Sequence, residues 1–186
     1  FACTSLWFAG NAVMTDLQRD FGLSPQALGH LTSAVQLGFI TGTLVFAIFT
    51  IADRFSPSRV FFVSALTGAV LNLAFAFATD LYSMLSLRFA TGFMLAGIYP
   101  VGMKIAADHF EKGLGKALGY LVGALVLGTA FPHLLKSISS SVNWKWVVAA
   151  TSASAAAGGV LLFATVKDGP FRRKSQGIQL IYDYPR

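Results

Sequence analysis

Leu81–Asp108 reads LYSMLSLRFATGFMLAGIYPVGMKIAAD, and between Asp80 and Lys104 it carries one charge, Arg88. A helix that crosses a bilayer needs about 20 predominantly apolar residues, so this run is long enough to span. An arginine that meets lipid inside such a run costs roughly 2.5 kcal/mol or more. Arg88 lies more than two helical turns in from Asp80, which is deep for snorkelling to the interface. Gly92 and Ala96 follow it at four-residue steps, with Gly97 alongside. A stripe of small residues lets a second helix approach closely. Arg88 is therefore expected to face protein or a water-filled cavity inside a helix bundle.

The rest of the composition agrees with a membrane interior. Of the 186 residues, 55% are hydrophobic and 12% charged, with a mean hydropathy of +0.64. Soluble domains carry about 25% charged residues. Cys3 is the single cysteine, so neither an intrachain disulfide nor a cysteine metal site is expected. The first residues are already apolar and no signal-peptide pattern precedes them, so the reading is a chain that begins inside its first helix. The net charge of +6 does not point to nucleic acid, because the basic residues lie in the connections between apolar runs.

In chain order, Phe1–Thr15 reads as the outer part of helix 1, closed by a polar loop at Asp16, Arg19 and Asp20. Ser24–Pro25 is a helix start, with serine as cap and proline in the first turn. Helix 2 is expected over 25–52, with Gln36 as a polar residue inside it and Gly38 and Gly42 as a small pair. Helix 3 is expected over 60–78 and helix 4 over the opening stretch. Helix 5 is expected over 114–135, with Gly115, Gly119 and Gly123 on one packing face. A polar turn at Ser137–Ser141 leads to helix 6, from Asn143–Trp144 to about Val166. The chain thus divides into a six-helix transmembrane bundle over 1–166, helix 1 being truncated, and a polar tail over 167–186.

Six spans alternate sides, and basic residues favour the cytoplasmic loops. Arg54, Arg59, Lys104, Lys112, Lys116, Lys167, Arg172, Arg173, Lys174 and Arg186 fall on one side; Arg19, Lys136 and Lys145 fall on the other. The first side, with the tail, is expected to be cytoplasmic in a plasma or bacterial inner membrane. Trp144 and Trp146 are then expected at the outer interface, where tryptophan is enriched.

The loop Ala52-Asp53-Arg54-Phe55-Ser56-Pro57-Ser58-Arg59 places Asp53 at a helix C-terminus, where the helix dipole disfavours an anion. Asp53 therefore needs a cationic partner, with Arg54 and Arg59 the nearest. This Ala-Asp-Arg-Phe…Arg pattern between spans 2 and 3 resembles the signature loop of the major facilitator superfamily of transporters. The stripe Arg88…Gly92…Ala96 in span 4 is similar to that family's second signature. Asn143-Trp144-Lys145-Trp146 resembles its common opening of span 6, and Glu111-Lys112-Gly113…Gly115-Lys116-Ala117-Leu118-Gly119 its entry to span 5. The four motifs cover about residues 1–166. Phe49 and Ser56 stand where the first signature has glycines, and Pro57 and Ser58 thin its basic cluster. Ala124 follows Gly123 where the family's drug antiporters have proline, so antiport is not carried over.

The resemblance implies an all-α protein, half of a twelve-helix fold built from 3 + 3 inverted repeats. It implies a secondary active transporter that moves a small-molecule substrate by alternating access, and not an enzyme. A C-terminal six-helix half absent from this chain and the lipid bilayer are the implied partners, with no nucleic acid and no cofactor. Arg88, Gln36 and Asn11 are the expected substrate-cavity residues; Asp53, Arg54 and Arg59 form the expected cytoplasmic gate. Gly92, Ala96, Gly115, Gly119 and Gly123 are the expected packing positions. An arginine fork suits carboxylate or phosphate, which weights the substrate toward an organic anion. A non-transporting six-span membrane subunit is the alternative. His30, His109 and His133 are scattered and form no metal cluster. Spans 2 to 6 have no Asp or Glu between their ends, so no proton-coupling carboxylate is expected at mid-membrane.

Overall fold

A computed structural model describes residues 1–138 and 143–172, and these residues are helical with short connections. The elements are α1 (Ser5–Ala12), α2 (Met14–Phe21), α3 (Pro25–Ile48), α4 (Ile51–Arg54), α5 (Pro57–Phe75), α6 (Leu81–Leu95), α7 (Tyr99–His109), α8 (Leu114–Ile138) and α9 (Lys145–Thr165). Among the described residues five helical segments are long and apolar enough to cross a membrane: α3, α5, the α6–α7 pair, α8 and α9. The expected turn at Ser137–Ser141 and the tail over 167–186 fall partly outside the described residues.

The helix starts follow from local chemistry. The Ser24 hydroxyl accepts from the Ala27 N–H at 3.2 Å with Pro25 following, and the Ser56 hydroxyl accepts from the Arg59 N–H at 3.4 Å with Pro57 following. Asp80 caps α6 by accepting from the Ser83 N–H at 2.9 Å, which holds its carboxyl below the ordinary carboxylate range.

Several boundaries differ from the sequence reading: helix 3, expected over 60–78, is α5 at Pro57–Phe75, and helix 5, expected over 114–135, is α8 and runs on to Ile138. Asp16, Arg19 and Asp20 lie on α2 and not in a loop, because Asp16 is drawn into the bundle, 7% exposed. Helix 2 stops at Ile48, since Thr50 adopts the left-handed conformation (φ 47°) beside Phe49 before the single turn of α4. A β-branched residue is strained there. Span 4 breaks after Leu95 and resumes at Tyr99-Pro100, where proline cannot supply an N–H to continue the ladder.

Packing pairs the spans in a definite way. α1 packs on α8, α3 on α6, and α5 on α9. These are spans 1 with 5, 2 with 4, and 3 with 6. Exchanging the first three spans for the last three turns the 1–5 contact into the 4–2 contact and leaves 3–6 in place. That is the pattern an inverted three-helix repeat requires. The α3–α6 contact is the tightest. A Cβ on Gly38 or Gly92 would collide with the backbone of the facing helix, and one on Gly42 would lie 2.6 Å from the Phe93 carbonyl oxygen and 2.9 Å from the Ala96 Cβ. Gly115, Gly119 and Gly123 differ from the packing role expected of them: among the described residues, nothing lies within 4 Å of a Cβ at any of the three. α8 packs on α1, and its buried Gly128 faces Phe1 and Thr4 just before that helix.

Behind these contacts, Asn72 of α5 is fully buried and donates to Ser152 Oγ of α9 at 3.0 Å. Trp144, expected at the outer interface, is turned into the bundle at that end. It is 2% exposed, packs on Phe21 and Phe75, and donates from Nε1 to Asp20 at 3.0 Å, whereas Trp146 is 67% exposed. Asp20 is held below the ordinary carboxylate range, chiefly by its hydrogen bond from Arg19.

Candidate functional site

Spans 1, 2, 4 and 5 surround a cavity of about 260 Å³ lined by Thr4, Trp7, Phe8, Phe39, Leu95, Tyr99, Leu125 and Thr129. Spans 3 and 6 contribute no lining residue. Phe39 and Leu125 sit near the middle of α3 and α8. Tyr99 is placed by the break between α6 and α7. A larger cavity of about 490 Å³ lies toward the His109 end, walled in part by the first four residues.

Arg88 is 1% exposed and lines neither cavity. Its Nη1 donates to the Leu6 carbonyl at 3.2 Å and its Nη2 to the Trp7 carbonyl at 2.6 Å, while its guanidinium carbon lies 5.9 Å from the Phe75 ring centroid. The side chain can reach these carbonyls because Gly10 has no Cβ; one there would lie 2.9 Å from the guanidinium carbon. Of the two surroundings the sequence left open, protein or a water-filled cavity, the arginine takes protein, through the α1 backbone, and not the cavity wall. Burial explains the choice: a guanidinium without an acidic partner satisfies its donors on main-chain oxygens. Gln36 is exposed on α3, one turn from Phe39. Asn11 is half-buried, one turn from Trp7, with its Oδ1 lacking a hydrogen-bond partner.

At the His109 end, Asp53 pairs with Lys104 of α7 at 2.9 Å, and Lys104 also reaches Asp108 at 3.5 Å. Arg54 and Arg59, the partners suggested by the sequence, are exposed and make no ion pair with Asp53. The segment after α9 straps this end. Asp168 accepts from the Ser56 hydroxyl at 2.7 Å and pairs with Arg172 at 2.7 Å; Arg172 also donates to the Phe55 carbonyl at 2.7 Å, and the Phe171 N–H donates to the Asp108 carbonyl at 3.0 Å. Lys104, Asp108, Asp168 and Arg172 were not singled out from the sequence, because their partners lie 50 to more than 100 residues away or within a turn of an ordinary-looking helix end. Gly10 was missed for the same reason.

At the opposite end, Asp16 pairs with Lys136 of α8 at 2.6 Å and with Arg19 at 3.5 Å. Among the described residues no group of three or more His, Cys, Asp or Glu is placed to hold a metal ion.

The Major Facilitator Superfamily profile matches residues 1–179. The chain belongs to the major facilitator superfamily. It is 33% identical over 133 residues to the niacin transporter NiaP of Acinetobacter baylyi, covering 65% of this chain and 29% of that protein. It is 25% identical over 146 residues to the uncharacterized MFS-type transporter YybF of Bacillus subtilis, covering 77% of this chain and 36% of that protein. It is 27% identical over 137 residues to a D-galactonate transporter of Escherichia coli, covering 73% and 31%. The chain therefore spans about a third of the length of these relatives. With five membrane-scale helical segments, it is a multi-pass membrane protein consistent with half of the family fold.

Proposed function

We propose that this chain forms the N-terminal half of a secondary active transporter that carries a small organic solute across a plasma or bacterial inner membrane by alternating access. The observation that carries the reading is the cavity walled by spans 1, 2, 4 and 5, with spans 3 and 6 packed behind it. A missing second half would close that cavity, and rocking of one half against the other would open it to each side in turn. The lean toward an organic anion now draws support from the relatives, two of which are named for niacin and D-galactonate, because the Arg88 guanidinium is committed to main-chain carbonyls. Arg88 acts on the cavity through the position of Trp7, and Asn11 and Gln36, each about one turn from a lining residue, are the polar groups assigned to the substrate path. The basic loops and the tail face the cytoplasm. The Asp53–Lys104 pair, flanked by Arg54 and Arg59, forms part of the gate on that side.

Reconstitution of the full gene product in proteoliposomes tests this. Counterflow of labelled niacin, D-galactonate or another small organic acid is expected. A folded, correctly inserted protein that exchanges no solute from such a panel would support the non-transporting subunit reading instead.

A further inference from the structure

The 260 Å³ cavity has a distinctive wall. Four of its eight lining residues carry aromatic rings, two more are leucines, and none is charged. The remaining two are threonines whose hydroxyls already donate to their own chain, Thr4 to the Phe1 carbonyl at 2.8 Å and Thr129 to the Val126 carbonyl at 2.7 Å, which leaves the Tyr99 phenol as the other hydroxyl of the wall. A solute rich in hydroxyl groups would lose its water here and recover few hydrogen bonds. An apolar cavity of about 150 Å³ already accepts benzene. The present volume therefore suits one substituted six-membered ring.

The rings are also arranged at different angles. Trp7 meets Phe39 edge-on, with centroids 5.0 Å apart and planes at 66°, and lies beside Phe8 at 6.3 Å and 30°. Offset and edge-to-face arrangements are those in which aromatic pairs attract most. Trp7 is held in place from behind, since Arg88 grips its carbonyl and Gly10 leaves the room for that grip. The arginine thereby stiffens a ring platform without touching the cavity.

We infer that this cavity is a subsite for a planar, single-ring aromatic group of the transported solute, an inference that rests on the transport reading above. The polar substituent of such a solute points out of the pocket toward Asn11 and Gln36 or the facing half, because the wall offers it no charge.

The test uses the full gene product in nanodiscs and three matched probe pairs: benzoate and cyclohexanecarboxylate, benzamide and cyclohexanecarboxamide, benzyl alcohol and cyclohexylmethanol. Isothermal titration is expected to show, in at least one pair, the aromatic member binding about five- to tenfold tighter than its saturated partner. Trp7→Leu and Phe39→Leu are expected to bring that ratio near one. Equal affinities within every pair, absence of binding by every aromatic probe, or an unchanged ratio in both folded variants overturns the inference. Should both variants fail to fold, the wild-type ratio decides alone. Counterflow in proteoliposomes scores the transport reading separately. Flux of saturated and aromatic acids with equal affinity overturns the aromatic subsite and keeps transport. Aromatic binding that depends on Trp7, without flux of any probe, does the reverse.

Discussion

The two helix pairs that the repeat relates, spans 2 with 4 and spans 1 with 5, are built on opposite terms. The α3–α6 pair is closed along its length by Gly38, Gly42 and Gly92, so the backbones nearly touch. The ion pair at the His109 end of spans 2 and 4, Asp53 of α4 with Lys104 of α7, is loosely covered, with side chains 39% and 22% exposed. The α1–α8 pair touches closely at Gly128 and is held apart elsewhere by Trp7, Phe8, Leu125 and Thr129, which leave the cavity. The ion pair at the end of spans 1 and 5 opposite His109, Asp16 of α2 with Lys136, is shorter at 2.6 Å, with side chains 9% and 26% exposed. Where small residues do the joining, the charge pair is accessible and able to change partners. Where ring-bearing side chains line the space between two helices, a pair with a buried carboxylate and a partly exposed lysine closes their ends. The internal symmetry is thus broken at the place where a solute can be held.

Four substitutions break or sharpen this contrast: Gly42→Leu, Asp16→Asn and Asp53→Asn are given in falling order of expected effect, with Gly119→Leu as the control for the first. Gly42→Leu forces α3 away from the Phe93 carbonyl and is expected to destabilise the protein by about 3 kcal/mol. Gly119→Leu adds the same bulk to an open face and is expected to change stability by less than about 0.5 kcal/mol in this chain. Thermal unfolding in detergent compares the two; equal losses would mean that the glycine seam is not what closes spans 2 and 4.

Asp16→Asn leaves the half-covered Lys136 ammonium without its close carboxylate. Full burial of a broken pair costs 3–5 kcal/mol; with Lys136 26% exposed, about 2 kcal/mol is expected. The same thermal measurement checks it, and a loss no larger than that of Asp53→Asn would erase the proposed asymmetry between the ends.

Asp53→Asn is expected to cost below about 1 kcal/mol, as for exposed pairs. Solute flux should nevertheless fall well beyond the fall in inserted protein. Parallel measurement of uptake and membrane abundance distinguishes the cases; proportional losses would make the pair structural.

The motifs made the site legible to different depths. Span 4 was legible because twenty-odd apolar residues interrupted by one arginine have few physical solutions, and the bundle-facing side of Arg88 follows from the cost of meeting lipid. The partners of Arg88 were not legible: they are main-chain carbonyls of Leu6 and Trp7, and any residue type presents a carbonyl. Asp53 announced its need of a cation by sitting at a helix C-terminus, yet Lys104 supplies it from 51 positions away. The glycines at 38, 42, 115, 119 and 123 look alike as spacings, and only the placement of neighbouring helices makes the first two a seam and leaves the last three open.

By itself, then, the amino-acid order determined the class of molecule, its apolar spans, the helix start at Ser24, and the family it resembles. These are set by local hydropathy and capping, which act over one or two turns. Tertiary structure alone decided which spans pair, that Arg88 holds the backbone of α1, and that Trp7, Phe8, Phe39 and Tyr99 converge on one cavity. Those outcomes depend on close approach between segments distant in the chain, and no local periodicity encodes how near two helices will come.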